Sequence, residues 1–330
     1  MAAHMIVVLL GLIALFPLLF DGRDLYWGDI ELYFAPMQSF LHQSLSQGIV
    51  PLWNPHIFCG EPSIGNPQAF TLYPYALLMQ LGRLSPFRFA TVFGALHIVL
   101  AGFFFYRFAR RERLSRKAAI LASIVFMLGG CLISKLQFPN MAAAIAWMPA
   151  VLSSVYDVVR RPGLGHASFL AMSLAMQLLA GHAQVSLFTL YLAVGYAIYV
   201  RRTDRLSLIP AIKIVGAMVC GVALAGLLAM AQMLPIFDYL RNVDRASMTL
   251  SMANRFTLGF DQLTNCVLPN LHGSPMHGNF TAFGNYWETC CYVGVVAAVL
   301  ALIGALTCFR QGSSKARFWT FTLILATGLS

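Results

Sequence analysis

The segment from 21 to 86 holds five of the twelve carboxylates in this chain of 330 residues: Asp21, Asp24, Asp29, Glu31 and Glu61. Asp29 follows the first apolar segment closely, so we expect the edge of the hydrocarbon layer to desolvate it. Desolvation raises the pKa of a carboxylate toward the range of a general base. The same group can instead ligate a divalent cation, with Mg or Mn as the candidates, or cap the helix that follows it.

A proline-stiffened loop, PLWNPHIFCGEPSIGNPQ, follows at 51–68. It supplies aromatic, amide and acidic side chains: Trp53, Asn54, His56, Glu61, Asn66 and Gln68. Aromatic rings cover the apolar faces of sugars and amides bond their hydroxyl groups, so this loop is a candidate substrate-binding surface. Trp side chains also anchor proteins at membrane interfaces, and that explanation stays open for Trp53.

Two further groups of polar residues lie near the predicted ends of spans. The turn Gly-His-Ala-Gln at 181–184 offers His182 and Gln184 to phosphate or an acceptor, or it simply caps a helix. Lys135 is either a phosphate counter-ion or a side chain that extends to the headgroups. The neighbouring polar residues predicted to share a cavity with this turn are Gln137, Asn140 and Trp147.

The second polar region of the chain carries cations and one acid where the chain re-enters the apolar layer. Arg241 and Arg245 are candidates to hold a phosphate by paired hydrogen bonds, although lipid headgroups attract Arg as well. Glu288, in the run NYWETCCYVG, is a candidate to assist catalysis because acids entering a bilayer are costly unless they have a function.

The elements that must position these side chains are apolar. The chain is 59% hydrophobic and only 10% charged, whereas a soluble domain carries about 25% charged residues. We therefore predict an all-α polytopic membrane protein, in which residues 1–330 form a single transmembrane domain. About eight full spans and a shortened ninth are predicted, at 2–20, 89–108, 118–134, 142–159, 164–181, 184–200, 208–236, 289–309 and from 318 onward. The short ninth span leads us to expect a longer natural protein.

The distribution of charge predicts the orientation. With a cytoplasmic N-terminus, fifteen of the 22 basic residues fall in short loops on the cytoplasmic side, as the positive-inside rule requires. The formal charge of +10 is therefore a topology signal and a contact for anionic membrane lipids, and we predict no nucleic-acid partner. The long loops, at 21–88 and 237–288, lie on the outer side in this arrangement.

Within the first loop, the apolar residues Ile30, Phe34, Met37, Phe40 and Leu41 recur at helical spacing. This pattern predicts an interfacial helix along the membrane surface, and a second helix is expected at 76–84. The prolines between them predict no regular structure. Cys59 and Cys266 are both on the predicted outer side and would be able to pair, but no Cys and His spacing indicates zinc.

Several short motifs together resemble bacterial YfhO-type membrane proteins. They are Asp29, Tyr33, Phe34 and Pro36; Gly48 with Pro51 to Pro55; Gly60, Pro62 and Asn66 to Gln68; Gly181 to Gln184; Gln232 to Pro235; and Glu288 to Gly294. Ala183 stands where that family has proline. These motifs span nearly the whole chain.

The resemblance implies a GT-C-type glycosyltransferase of the bacterial inner membrane, with its active site on the outer, periplasmic face. It implies a polyprenyl-phosphate sugar as donor and a glycan or lipid of the cell envelope as acceptor. On that basis Asp29 is the general base of an inverting transfer, and no cofactor is certain. A flippase for lipid-linked sugars and a non-catalytic scaffold for envelope assembly are the alternatives. A flippase should show charged residues in the middle of spans and an internal repeat. The sequence has few charges within the predicted spans, and we find no repeat in it.

Overall fold

The computed structural model describes residues 2–57, 59–80, 82, 84–204, 210–241, 259–282 and 284–328. The chain divides into two compact units, which we describe separately. Unit 1 is Met1–Met127 with Lys135–Val243, and unit 2 is Leu128–Ser134 with Asp244–Ser330. The described part of both units is almost entirely helical, as the sequence predicts.

The helices of unit 1 follow the predicted apolar runs closely. They are α1 (Ala2–Ala14), α2 (Phe16–Phe20), α3 (Ala35–Ser46), α4 (Pro74–Gln80), α5 (Pro86–Arg111), α6 (Arg116–Leu128, which ends in unit 2), α8 (Pro139–Arg160), α9 (Leu164–Leu179), α10 (Ala183–Thr203) and α11 (Ala211–Leu240). A π-helical turn at Ile30–Phe34 precedes α3, and 3-10 turns lie at Pro67–Ala69 and Lys135–Gln137.

Unit 2 contains shorter elements before its two apolar helices. They are α7 (Gly130–Ser134), 3-10 helices at Phe260–Cys266 and Pro275–His277, α12 (Tyr286–Thr289), α13 (Val295–Arg310) and α14 (Ser314–Gly328).

Five helices among the described residues are long and apolar enough to cross a membrane. They are Pro86–Arg111, a continuous run at Arg116–Gln137, Pro139–Arg160, Ala183–Thr203 and Ala211–Leu240. Ala2–Ala14, Leu164–Leu179 and Val295–Arg310 are apolar but shorter. The membrane class is thus confirmed by length and composition, and the predicted total of about eight spans stays a prediction.

Helix α8 is the centre of unit 1 and packs against α5, α9 and α10. Ala142, Ala143, Ala144 and Ala146 are fully buried along it, and such small side chains allow helices to approach closely in a membrane. Gln177 of α9 then ties these helices together. Its Nε2 donates to the Ala144 carbonyl oxygen at 2.8 Å and to Thr189 Oγ1 at 2.9 Å.

The first loop is anchored in the core of unit 1 by a chain of buried hydrogen bonds. Trp147 Nε1 donates to the Tyr73 hydroxyl at 2.8 Å, and that hydroxyl lies 2.7 Å from His97 Nε2. Because His97 Nδ1 lies 2.7 Å from the Phe93 carbonyl oxygen, Nδ1 must carry the donated proton. Nε2 then accepts from the Tyr73 hydroxyl, so each side-chain polar atom of Trp147, Tyr73 and His97 has a hydrogen-bond partner.

The predicted helix of the first loop is present, but its apolar stripe does not face lipid. Ile30, Phe34, Met37 and Leu41 are almost completely buried within the protein. Phe34 belongs to the same apolar cluster as Tyr73. The expectation of an interfacial helix is therefore wrong for this stripe, because the core of unit 1 provides the apolar surface that it needs.

The basic end of unit 1 is stabilised by paired charges. Asp157 accepts two hydrogen bonds from Arg111, at 2.7 and 2.9 Å, and one from Arg107 at 3.2 Å. Asp204 similarly binds Arg160 at 2.7 Å and Arg113 at 3.0 Å. Each of these acids binds Arg side chains from the ends of other helices, so the two acids join neighbouring helix ends in an otherwise cationic region.

Candidate functional site

Asp29 lies at the start of the π-helical turn in unit 1, directly after Gly28, whose φ is +58°. A π-helical turn, which is wider than an α-helical one, suits this position because of Pro36. Pro36 has no N–H to donate to the carbonyl oxygen four residues earlier, and its ring would crowd that oxygen. Asp29 itself is already helical, with φ −64° and ψ −21°, and its side chain makes no capping hydrogen bond. The capping interpretation is therefore wrong.

Several acids of the first loop have a partner, whereas the Asp29 carboxylate, like that of Asp21, has none among the described residues. Asp24 pairs with Arg88 at 3.3 Å, Glu31 accepts from the Tyr26 hydroxyl at 2.7 Å, and Glu61 is bonded to an amide. Asp29 is exposed, and within the described residues no hydrogen bond or ion pair reaches its side chain. The carboxylate is available to a ligand.

Tyr33 lies one helical turn after Asp29 and is held by a buried amide. Asn66 Nδ2 donates to the Tyr33 hydroxyl at 2.9 Å and to Glu61 Oε1 at 3.0 Å. Asn66 Oδ1 accepts from the Gln68 backbone N–H at 2.9 Å. Glu61 and Asn66 are buried, and every polar atom of Asn66 is used within the protein. The structure therefore gives these two predicted substrate ligands a framework role.

Burial raises the pKa of the Tyr33 hydroxyl above its usual value, and the nearby carboxylates of Glu61 and Asp29 raise it further against the opposing effect of the Asn66 hydrogen bond. Tyr33 is therefore neutral at pH 7 and keeps its proton. Since its oxygen accepts from Asn66, its hydrogen is available to a ligand beside Asp29. Sequence reasoning did not place Tyr33 in the site, although its spacing of four residues from Asp29 was a usable signal.

A minimal hairpin holds the next group of candidates. Trp53 and Asn54 (β1) pair antiparallel with Glu61 and Pro62 (β2), so the prediction that prolines exclude regular structure here is wrong for these four residues. Each strand has only two residues, and Pro62 is at the end, where its missing N–H is tolerated. The Asn54 side chain is buried and accepts from the His56 backbone N–H at 3.0 Å, so it too shapes the loop.

Trp53 and His56 remain accessible on this hairpin. The Trp53 side chain is 56% exposed, and its ring lies against Gly60, where any Cβ would come within 2.5 Å of the ring. With φ +113°, Gly60 also adopts a conformation that other residues avoid. His56 is exposed, with its ring centroid 5.8 Å from that of Phe40. Both side chains can contact a sugar.

The turn at 181–184 packs directly on the 3-10 turn of the first loop. Gly181 has φ +79°, and a Cβ there would collide with the Pro67 carbonyl oxygen. His182 caps α10, since its Nδ1 accepts from the Val185 N–H at 3.3 Å. Capping was one of the two interpretations of His182, and it is the one the structure confirms. Gln184 is exposed and Gln68 half-buried.

The end of α11 packs on the same loop. A Cβ at Gly65 would lie 3.2 Å from the Pro235 carbonyl oxygen and 3.3 Å from Tyr239 Cβ. Motifs that are far apart in sequence, around 65, 181 and 235, thus meet within unit 1. Arg241 is exposed just past α11, and Arg245 lies outside the described residues.

Gly28 lies close to the buried amide of Gln137, one of several buried amides of unit 1. A Cβ at Gly28 would be 3.3 Å from Gln137 Oε1. Within the described residues, Gln137 Nε2, Asn140 Nδ2 and both polar atoms of Gln232 have no hydrogen-bond partner. Lys135 is 5% exposed, with its ammonium 5.9 Å from the Phe138 ring centroid. Lys135 therefore does not extend to the surface, because its 3-10 turn directs it into unit 1.

Glu288 belongs to unit 2, where it lies on the short helix α12 and is exposed. Its neighbours on that helix, Tyr286, Trp287 and Thr289, line a cavity of unit 2, and Glu288 does not. In the same unit, Cys266 Sγ lies 3.1 Å from Cys291 Sγ. The cysteine that contacts Cys266 is thus Cys291, and a pairing of Cys266 with Cys59 stays a prediction.

The described residues contain no cluster of three His, Cys, Asp or Glu side chains that could hold a metal ion. A cation at Asp29 would therefore need oxygen ligands from elsewhere, such as carbonyl groups, water or the phosphates of a substrate. Comparison with known proteins gives no match to a family model, a curated protein or a solved structure, so the likeness to YfhO-type proteins rests on the short motifs alone.

Proposed function

We propose that this protein is a membrane glycosyltransferase that moves a sugar from a polyprenyl-phosphate donor to a glycan or lipid of the cell envelope. The observation that carries the proposal is the exposed, unpartnered carboxylate of Asp29 beside Tyr33. Exposed acids are common, but this one follows a glycine turn and precedes a side chain that a buried amide and carboxylate hold in place.

The reaction that suits this arrangement is an inverting displacement. Asp29 takes the proton of an acceptor hydroxyl as that oxygen attacks the anomeric carbon. The bond between the anomeric carbon and the phosphate oxygen breaks, and the lipid phosphate leaves with the bonding electron pair. Tyr33 donates a hydrogen bond to a substrate oxygen nearby and orients it, because its own oxygen is fixed by Asn66.

Exposed residues of the first loop and of the end of α11 suit the rest of the substrate. The open ring of Trp53 can cover an apolar sugar face. Arg241, at the end of the helix that packs on the first loop, can bind a phosphate with two parallel hydrogen bonds. We further propose that this region lies on the outer face of the inner membrane, with the N-terminus in the cytoplasm, as the distribution of basic residues predicts.

A lipid-linked sugar transporter is the second candidate, and one observation favours it. The unpartnered buried amides of Gln137, Asn140 and Gln232 would suit a polar path through the helices. Such a protein would move the sugar lipid between leaflets without transferring the sugar. The two activities are measured separately in liposomes.

The test is sugar transfer by Asp29→Asn in liposomes that contain a radiolabelled polyprenyl-phosphate sugar. Removal of a general base should lower the transfer rate by about 100-fold or more. Glu31→Gln is the matched control, because Glu31 is an exposed acid on the same turn, and it should keep the wild-type rate. Full transfer by Asp29→Asn at normal expression would refute the proposed base. Flipping of the sugar lipid by the wild-type protein without sugar transfer would favour the transporter.

A further inference from the structure

Unit 2 contains a cavity of about 250 Å³ that the proposed reaction does not use. Its walls come from α7, the 3-10 helix at Phe260–Cys266 and the segment around α12. The Gly130 N–H donates to the Tyr292 carbonyl oxygen at 2.7 Å, which closes one wall. A Cβ at Gly130 would lie 3.0 Å from the Tyr292 backbone nitrogen, so this approach depends on glycine.

A buried amide in the wall has unused hydrogen-bonding capacity. Asn265 is 7% exposed, and its Nδ2 donates to the Thr289 carbonyl oxygen at 3.4 Å. Within the described part of the chain, Asn265 Oδ1 has no partner. A buried amide oxygen without a donor is unfavourable, and a ligand hydroxyl in the cavity would relieve this cost after a small shift of the side chain.

Aromatic rings form much of the remaining wall, and one of them is fixed in place. Tyr286, Trp287 and Tyr292 all line the cavity. The Tyr286 hydroxyl donates to Asn270 Oδ1 at 2.6 Å, which orients the Tyr286 ring. Flat apolar rings beside amides and hydroxyl groups recognise a sugar, because a sugar ring has apolar C–H faces and polar edges.

The charge and size of the cavity narrow the ligand further. Among the described residues, the side chains that line it, including Ser134, Asn270 and Thr289, carry no formal charge, so none of these would form an ion pair with a phosphate or carboxylate. The volume of about 250 Å³ is below the roughly 300–1,000 Å³ of pockets for drug-sized ligands. Both properties fit one uncharged sugar ring.

We propose that this cavity binds a single uncharged sugar residue of the acceptor glycan. That the sugar belongs to the acceptor glycan rests on the proposed function, whereas the binding of a sugar rests on the cavity alone. An ordered water molecule that satisfies Asn265 is the simpler occupant, and the experiment separates the two.

The test measures binding of free monosaccharides to the whole chain in a detergent without a sugar headgroup. The probes are methyl glycosides of glucose, galactose, mannose and N-acetylglucosamine, with sodium glucuronate as an anionic comparison. Saturation-transfer NMR should show contact with at least one neutral glycoside and none with glucuronate. If none of the neutral glycosides contacts the protein, water is the occupant of the cavity and the proposal is overturned.

Variants locate the binding within the cavity. Trp287→Ala should weaken binding about tenfold, and Trp287→Phe, which keeps an aromatic face, should restore most of it. Asn265→Leu removes the amide oxygen at similar volume and should also weaken binding. Met276→Ala is the matched control, since Met276 is 88% exposed in unit 2 and does not line the cavity. Equal binding by all four folded variants would refute this site.

A measurement on the unmodified chain covers the case in which the cavity variants do not fold. Cys290 and Cys291 line the cavity, whereas Cys308 of α13 does not. The bound glycoside should slow alkylation of Cys290 by N-ethylmaleimide, read by peptide mass spectrometry, and leave Cys308 unchanged. Equal rates with and without glycoside would overturn the proposal. Binding that persists while the wild-type protein transfers no sugar would refute the proposed function and leave the cavity's ligand in place.

Discussion

Asn66 and Asn265 are both buried amides in polar segments between apolar helices, but the structure uses them differently. Asn66 donates to Tyr33 and Glu61 and accepts from the Gln68 N–H, so it is fully bonded. Asn265 makes one long hydrogen bond and keeps an unpartnered oxygen within the described residues. The comparison teaches that a polar side chain in a candidate loop is equally suited to building a framework and to binding a ligand. Its bonding decides which.

The largest effect is expected where the first loop packs on the turn at 181. Gly181→Ala should lower the free energy of unfolding of unit 1 by about 4 kcal/mol, because φ +79° strains alanine and its Cβ would collide with the Pro67 carbonyl. Thermal unfolding in detergent measures this. The control, Gly226→Ala, places a Cβ in open space and should be neutral or stabilising by up to about 1 kcal/mol. Equal midpoints would contradict the packing.

A matched pair of substitutions tests the comparison of the two amides directly. Asn66→Leu should lower the free energy of unfolding by about 3 kcal/mol, because the buried Glu61 carboxylate loses its donor. Asn265→Leu should change it by less than about 1 kcal/mol, since it removes an oxygen that has no partner and one long hydrogen bond to a carbonyl that keeps the Cys291 N–H as donor. Chemical denaturation of the two variants checks the difference. If Asn265→Leu costs as much as Asn66→Leu, Asn265 is part of the framework.

The smallest effect is a pH dependence in unit 2. Burial, together with the neighbouring Cys290, raises the pKa of Tyr286 to about 12, whereas an unfolded tyrosine ionises near about pH 10. The unfolded chain therefore loses this proton first, so the contribution of Tyr286 is complete below pH 10 and is lost as pH rises toward 12. Solvent screening limits it to less than about 1 kcal/mol.

The measurement is the unfolding midpoint of wild type and Tyr286→Phe between pH 8 and 11.5. The two curves should run parallel below pH 9.5, which serves as the internal control. Above pH 10 the wild type should fall more steeply, because only the wild type has the hydroxyl at position 286. Parallel curves over the whole range would show that Tyr286 is not buried in this way.

Much of the fold was predictable because hydropathy and helical spacing are local properties of the chain. The apolar runs at 142–159 and 184–200 lie within α8 and α10, and the spacing of Ile30, Phe34 and Met37 correctly predicted one buried helical face. What covers that face was predicted wrongly. Helical spacing shows that an apolar face must be covered, but lipid and protein can cover such a face equally well.

The sequence alone determined that the chain is helical and apolar enough for a membrane, and that Asp29 follows the first apolar segment closely. Only the tertiary structure decided that Asn54, Glu61 and Asn66 serve the framework, that His182 caps a helix, and that Asn66 holds the Tyr33 hydroxyl. The physical reason is that hydropathy is a property of each segment by itself. Hydrogen-bond satisfaction depends on partners that are distant in sequence, such as Tyr33 and Asn66, and these meet only when the chain folds.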